Sequence, residues 1–219
     1  MTRLNCHIIP AAEPDSKRLL LMMHGLGDSH EGYLWLPDAL QLPWLHFALP
    51  DAPDAYYGGY SWFDIFGNPV PGVRRSYQLL HNLLQELQHR GWPPDQMIVG
   101  GFSQGGLMAI EVALRYPHRL AGALCISGAV CEPETLIREA SPVARQQRIL
   151  ATHGRYDDIL PIHITRRQIQ QLQQAGFPIT WVELEKAHTI AGQTELQLIR
   201  DFILSCYGSE APAPQPPQS

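Results

Sequence analysis

Six short stretches of the chain read as strands, most of them apolar without alternation: RLLLMMH at 18–24, WLHFALP at 44–50, QMIVGGF at 96–102, RLAGALCIS at 119–127, QRILATH at 147–153 and ITWVELE at 179–185. Unbroken apolar runs of this length are what a strand carries when both faces of its sheet are covered. Between these runs the period changes. Across 73–90, VRRSYQLLHNLLQELQHR, the residues Leu79, Leu80, Leu83, Leu84 and Leu87 fall on one stripe, and Gly91 with prolines just beyond it closes the helix. Residues 104–116, 162–175 and 190–206 predict helices in the same way, the second ending at Gly176 and Pro178. Strand alternating with helix predicts an α/β fold: a mostly parallel central sheet with helices on both faces and right-handed crossovers.

Two segments escape this alternation. Residues 50–72, PDAPDAYYGGYSWFDIFGNPVPG, have no period and are rich in Gly, Pro, Asp and aromatic residues, which predicts a long and functional loop. The end of the chain, GSEAPAPQPPQS, is polar and proline-rich, so a single domain over 1–207 followed by a disordered tail over 208–219 is expected. A chain of 219 residues suffices for one core that buries roughly 70% of its unfolded surface. No internal repeat interrupts it, and so short a chain leaves no room for a separate lid domain.

Composition narrows the function. With 45% hydrophobic and 17% charged residues the chain is globular, and a net charge of −5 without a local Lys/Arg cluster argues against nucleic acid. The apolar run at Leu19–Met23 is too short to span a bilayer, and MTRLNCHIIP has neither the apolar core nor the cleavage site of a signal peptide. A cytoplasmic location without stable membrane insertion is expected. Cys6, Cys125, Cys131 and Cys206 are scattered, without metal-ligand spacing, and are read as free thiols, Cys125 as a buried core residue.

The chemistry concentrates around MIVGGFSQGGLMAI at 97–110. Gly101, Phe102, Ser103, Gln104 and Gly105 fit G-x-S-x-G directly after a predicted strand and directly before a predicted helix, the context in which this pattern marks a nucleophile. The turn lifts the Ser103 hydroxyl clear of the sheet, and Gly101 and Gly105 answer a steric need where backbones pass closely. A serine alcohol is a weak nucleophile that requires a base, itself oriented by an acid, and after such an elbow the acid and then the histidine follow in sequence. That order, with His118 set aside at a helix end beside Pro117, leaves His153, His163 and His188. His188, in KAHTIAG after the last strand, stands at the C-terminal edge of the sheet and is preferred to His163, which sits just inside a helix. The loop HGRYDDILP at 153–161 offers Asp157, with Asp158 as its competitor, since one residue of register decides which carboxylate faces the base. The oxyanion requires two backbone amides: that of Gln104, and one from HGLGDS at 24–29, for which Leu26 is chosen because Gly25 and Gly27 let its amide turn inward. His24 and Asp28 are read as braces of that loop.

Taken together, HGLGDS at 24–29, PDAP at 50–53, SWFDIFG at 61–67, GGFSQGG at 100–106, HGRYDDILP at 153–161 and AHTI around His188 resemble the phospholipase/carboxylesterase family, which includes acyl-protein thioesterases and small bacterial carboxylesterases. The motifs extend in the family's order to about Tyr207, and the bacterial carboxylesterase branch is the better likeness. The resemblance implies the α/β-hydrolase fold, Ser103 as nucleophile, Asp157 as acid, His188 as base and Leu26 and Gln104 as amide donors, with neither metal nor cofactor. The loop ahead of SWFDI is shorter than in the eukaryotic thioesterases, and residues 192–196 depart from their motif.

These features predict a serine carboxylesterase acting on small to medium acyl esters, thioesters among them, through an acyl-enzyme. An acyl-protein thioesterase or lysophospholipase is the alternative, and a silent hydrolase-fold interaction module a more distant one. Trp62, Phe63, Ile65 and Phe66, with Leu26 opposite, are expected to wall the acyl pocket. The expected partner is a small-molecule ester or thioester, with the chain a monomer or a homodimer.

Overall fold

The computed structural model describes residues 3–208, so the expected tail lies outside the described residues except for Gly208. Seven strands form one sheet: β1 (Cys6–Ile9), β2 (Leu19–Met23), β3 (His46–Pro50), β6 (Met97–Phe102), β7 (Gly122–Ile126), β8 (Ile149–Gly154) and β9 (Ile179–Leu184). Their spatial order is β1-β3-β2-β6-β7-β8-β9, and every pairing is parallel except β1 with β3. A separate two-stranded hairpin, β4 (Asp54–Tyr56) and β5 (Gly59–Ser61), lies in the segment expected to be a loop.

The unbroken apolar runs lie where both sheet faces are covered. Along β2 the side chains alternate: Leu19, Leu21 and Met23 enter one core cluster while Leu20 and Met22 enter the other. The first core is closed by α2 (Val70–His89), α3 (Gln104–Arg115), α4 (Pro133–Arg138) and α5 (Ile162–Gln174), the second by α1 (Leu36–Leu40) and α6 (Gly192–Cys206). In α2 the buried stripe is Val73, Ser76, Leu80, Leu83, Leu84 and Leu87, and the helix starts earlier than its apolar stripe suggested because Pro71 sits in the first turn, where no backbone N–H is needed. Helix α3 is buried from Gln104 to Leu114 and crosses beneath the middle of the sheet.

Register places the site. Met23 pairs with Gly101, Phe102 with Ile126 and Ile126 with Thr152, so β2, β6, β7 and β8 end at one edge, and the chain turns there into HGLGDS, Ser103 and HGRYDD. This is the α/β-hydrolase arrangement, without a separate lid domain. Among the described residues no helix is long and apolar enough to cross a membrane.

Candidate active site

Ser103 joins β6 to α3 with φ 55° and ψ −116°, a conformation that costs free energy for any residue with a Cβ. It is held there by its own amide, which donates to Ile126 O at 2.9 Å, and by its carbonyl, which accepts from Leu107 N at 3.1 Å. The glycines are steric necessities: a Cβ on Gly101 would lie 2.2 Å from the backbone of Gly105, and one on Gly105 would lie 2.2 Å from Met23 O. Helix and strand approach so closely that no side chain fits between them.

His188 follows β9 on the turn into α6, as its place in KAHTIAG suggested. Its Nε2 is 2.8 Å from Ser103 Oγ and its Nδ1 is 2.7 Å from Asp157 Oδ2. Because a carboxylate oxygen can only accept, the ring proton sits on Nδ1 and Nε2 is the acceptor for the serine hydroxyl. Asp157 is buried, and its other oxygen accepts from the amides of Ile159 at 3.1 Å and Leu160 at 2.7 Å. Burial by itself would raise its pKa; the Leu160 amide and His188 outweigh that and hold the carboxyl below its ordinary value. Asp158 is exposed, and His163 is exposed on α5, away from this chain of hydrogen bonds. His153, next to last in β8, is buried against Trp181, its Nε2–H donating to Leu160 O at 2.8 Å, and burial lowers its pKa. It packs under the acid, its Nε2 3.4 Å from Asp157 Oδ2, while the ring bonded to Ser103 is that of His188.

The loop after β2 is braced on all sides. His24 Nδ1–H donates to Gly25 O at 2.6 Å, and its Nε2 accepts from Ala52 N at 3.0 Å, so the buried ring is neutral and spans from the loop to PDAP. Burial lowers its pKa accordingly. Gly27 N donates to Tyr60 O and Tyr60 N to Asp28 O, each at 2.9 Å, which seats the hairpin on the loop. A Cβ on Gly59 would meet Gly27 O at 2.1 Å. Leu26 lies in this braced turn and borders the same cavity as Ser103 and Gln104.

Gln104 has a second task. Its side chain is buried, Oε1 accepting from Trp62 N at 2.9 Å and Nε2 donating to Phe63 O at 2.9 Å, so the first residue of α3 is stapled to SWF. Its amide sits in the first turn of the helix, where no intrahelical carbonyl is available to it.

Ser103 opens into a cavity of about 460 Å³, lined on its apolar side by Leu26, Phe63, Ile65, Leu107, Ile159 and Leu160. Two of the four residues expected on this wall are elsewhere. Trp62 is fully buried behind it, its indole N–H donating to His24 O at 2.9 Å, because burying so large a side chain requires a partner for that N–H and His24 O supplies it. Phe66 is 80% exposed and does not line the cavity, since the chain turns outward at Asp64, whose carboxylate caps the Phe66 amide at 2.8 Å. Leu107, Ile159 and Leu160 complete the wall from α3 and the acid loop, residues distant in sequence from SWFDIFG.

Two supports of the site were not foreseen. Lys186 and Glu195 form a buried ion pair, with Nζ at 2.7 and 2.8 Å from the carboxylate oxygens, on either side of His188. The same ammonium donates to Thr189 O at 2.8 Å, and Glu195 also accepts from Ala191 N at 2.6 Å, so the base's turn is tied at three points. Burial pulls the lysine's pKa down while Glu195 opposes it. The only trace in the sequence is a lysine two residues before the histidine and an acid in the first turn of the next helix. The hairpin is the other support, and its signal is Tyr57-Gly58, both at positive φ, as a two-residue turn between twisted strands requires. Among the described residues no group of His, Cys, Asp and Glu side chains forms a set that could hold a metal.

A profile of the family described as phospholipase/carboxylesterase matches residues 4–207. Acyl-protein thioesterase 1 of Kluyveromyces lactis is 27% identical over 91% of this chain and 95% of its own length. Of the solved structures, esterase PE8 is 28% identical with a TM-score of 0.83, covering 92% of this chain and 98% of that one. Acyl-protein thioesterase 2 of Zea mays is 25% identical with a TM-score of 0.79, covering 93% of this chain and 99% of that one. A match that begins ahead of β1 and ends just past α6 takes in every element that carries the site, so the chain belongs to the phospholipase/carboxylesterase family.

Proposed function

We propose that this chain is a serine carboxylesterase that hydrolyses small to medium acyl esters, and the corresponding thioesters, by two successive acyl transfers at Ser103. The observation that supports it most directly is the unbroken hydrogen-bond chain from Ser103 through His188 to the buried Asp157, at the head of an apolar cavity. His188 Nε2 takes the hydroxyl proton as Ser103 Oγ bonds to the carbonyl carbon, and the amides of Leu26 and Gln104 stabilise the oxyanion. The imidazolium, stabilised by Asp157, then gives that proton to the departing alcohol or thiol. Water, deprotonated by His188, attacks the acyl-Ser103 ester; the carboxylic acid leaves and the serine recovers its proton.

The relatives' names, acyl-protein thioesterase 1 in Kluyveromyces lactis and acyl-protein thioesterase 2 in Zea mays, favour thioesters as the second reading. Rates on matched oxygen and sulfur esters across a series of acyl lengths separate the two. A preference for long-chain triglyceride droplets would contradict both.

A fluorophosphonate probe tests the nucleophile. Covalent mass is expected on Ser103 of the folded protein, and Ser103→Ala is expected to lose the label and turnover while melting at nearly the wild-type temperature. Folded protein that takes no label, or a Ser103→Ala variant that still turns over esters, would overturn the reading.

A further inference from the structure

The imidazole of His188 has a cavity on each side. Next to the apolar cavity that Ser103 opens into lies a second one, of about 380 Å³, walled by Tyr33, Trp35, Ile190 and Leu196. Asp28, Phe102 and His188 belong to both walls, so the two cavities meet at the ring. An acyl transfer requires such a pair of spaces. The acyl substituent lies on one side of the carbonyl carbon and the leaving group on the other, and the departing atom must come within hydrogen-bond reach of the group that protonates it.

We propose that this second cavity holds the alcohol or thiol portion of the substrate and selects a flat, uncharged, aromatic one. The proposal rests on the ester hydrolase reading above and deepens it. Trp35 is 42% exposed, yet its ring is not loose: the indole N–H donates to Gly32 O at 2.7 Å. Its one polar group is thereby engaged and the bond restrains the ring, so an aromatic surface borders the cavity and can recognise another ring at reduced entropic cost. Ile190 and Leu196 add aliphatic surface from the base's turn and from α6.

Charge sets the other half of the selectivity. Asp28 places a carboxylate at the junction, packed so closely over Gly32 that a Cβ there would fall 2.4 Å from its oxygens. Among the described residues no lysine or arginine lines either cavity. An alcohol bearing a phosphate or carboxylate would lose water beside a like charge without a cation to compensate.

The test uses the full chain and three butyrate esters that share one acyl group: methyl, benzyl and 4-carboxybenzyl. Methanol and benzyl alcohol are of similar acidity, so intrinsic reactivity does not separate the first two. For the wild type, kcat/KM for the benzyl ester should exceed that for each of the others by about tenfold or more. Trp35→Ala should lower kcat/KM for benzyl butyrate several-fold more than for methyl butyrate and so remove most of the benzyl advantage, and Trp35→Phe, which keeps a ring, should retain part of it. An unchanged benzyl-to-methyl ratio in Trp35→Ala, or an equal fall on both esters, would overturn the assignment. If the wild type hydrolyses none of the three and Ser103 takes no fluorophosphonate, the hydrolase reading fails with it. If all three are hydrolysed at similar rates, the leaving-group assignment alone fails.

Discussion

At Ser103 the backbone is held in a conformation that most residues avoid, and the surrounding glycines are what let neighbouring chain segments come close enough to hold it. Gly101→Ala would put a methyl group 2.2 Å from the backbone of Gly105, with no flexible side chain there to yield. A loss of about 3 kcal/mol in stability is expected, read from the urea midpoint. Asp157 offers a sharper comparison. Its two oxygens are committed to different partners, one to His188 and one to the Ile159 and Leu160 amides. An asparagine cannot satisfy both without presenting an N–H to one of them. Asp157→Asn should therefore lower kcat by about 10⁴-fold, whereas Asp158→Asn, at an exposed neighbour, should leave it nearly unchanged. Equal effects of the two variants would mean that the acid has been assigned to the wrong register.

Whole elements, rather than single side chains, hold the reacting groups in place. The turn between β9 and α6 carries His188 between Lys186 and Glu195, whose buried ion pair leaves neither charge free in the interior. Removing one partner strands the other, so Glu195→Gln should cost about 3 to 5 kcal/mol. The double variant Lys186→Met with Glu195→Leu should cost clearly less than the sum of the two single changes, a coupling that a double-mutant cycle in urea measures. The hairpin β4–β5 performs the same service for the loop after β2. Gly59→Ala drives a methyl group against Gly27 O, so it should lower kcat for every ester through the displaced Leu26 turn, while fluorophosphonate still labels Ser103. Both supports went unread in the sequence for a physical reason. An ion pair between residues nine apart across a turn, and strands of three residues, leave no periodic signal to detect.

At the scale of the whole molecule, the contribution of Glu183 to the pH response of stability has a defined sign. Glu183 on β9 accepts from Arg166 at 2.7 and 3.0 Å and from the Trp181 indole at 2.9 Å, and these bonds hold its pKa at about 2 against an ordinary value of 4.5. A carboxyl depressed by folding stabilises the fold above its unfolded pKa, and that contribution is lost as pH falls from 4.5 toward 2. The difference in urea midpoint between wild type and Glu183→Gln should thus be constant near neutrality and shrink below about pH 4.5. Burial also pushes Cys6 and Cys125 up to about 12, and Cys131 and Cys206 up to about 11. Iodoacetamide at pH 8 should alkylate the folded chain far more slowly than it alkylates glutathione, and denaturant should abolish the difference.

The sequence by itself determined the alternation of strands and helices, the serine turn with its glycines, and the order in which acid and base follow it. Each of these depends on neighbours in the chain, where periodicity, turn chemistry and steric need are written in contiguous residues. It also carried the family likeness, because HGLGDS, GGFSQGG and AHTI are local motifs. Only the tertiary structure decided that Asp157 rather than Asp158 turns beneath His188, that Trp62 lies behind the cavity while Leu107, Ile159 and Leu160 line it, and that a second cavity opens past the ring. Those outcomes depend on which distant segments meet across the sheet edge, and the packing that brings them together has no counterpart in the spacing of residues along the chain.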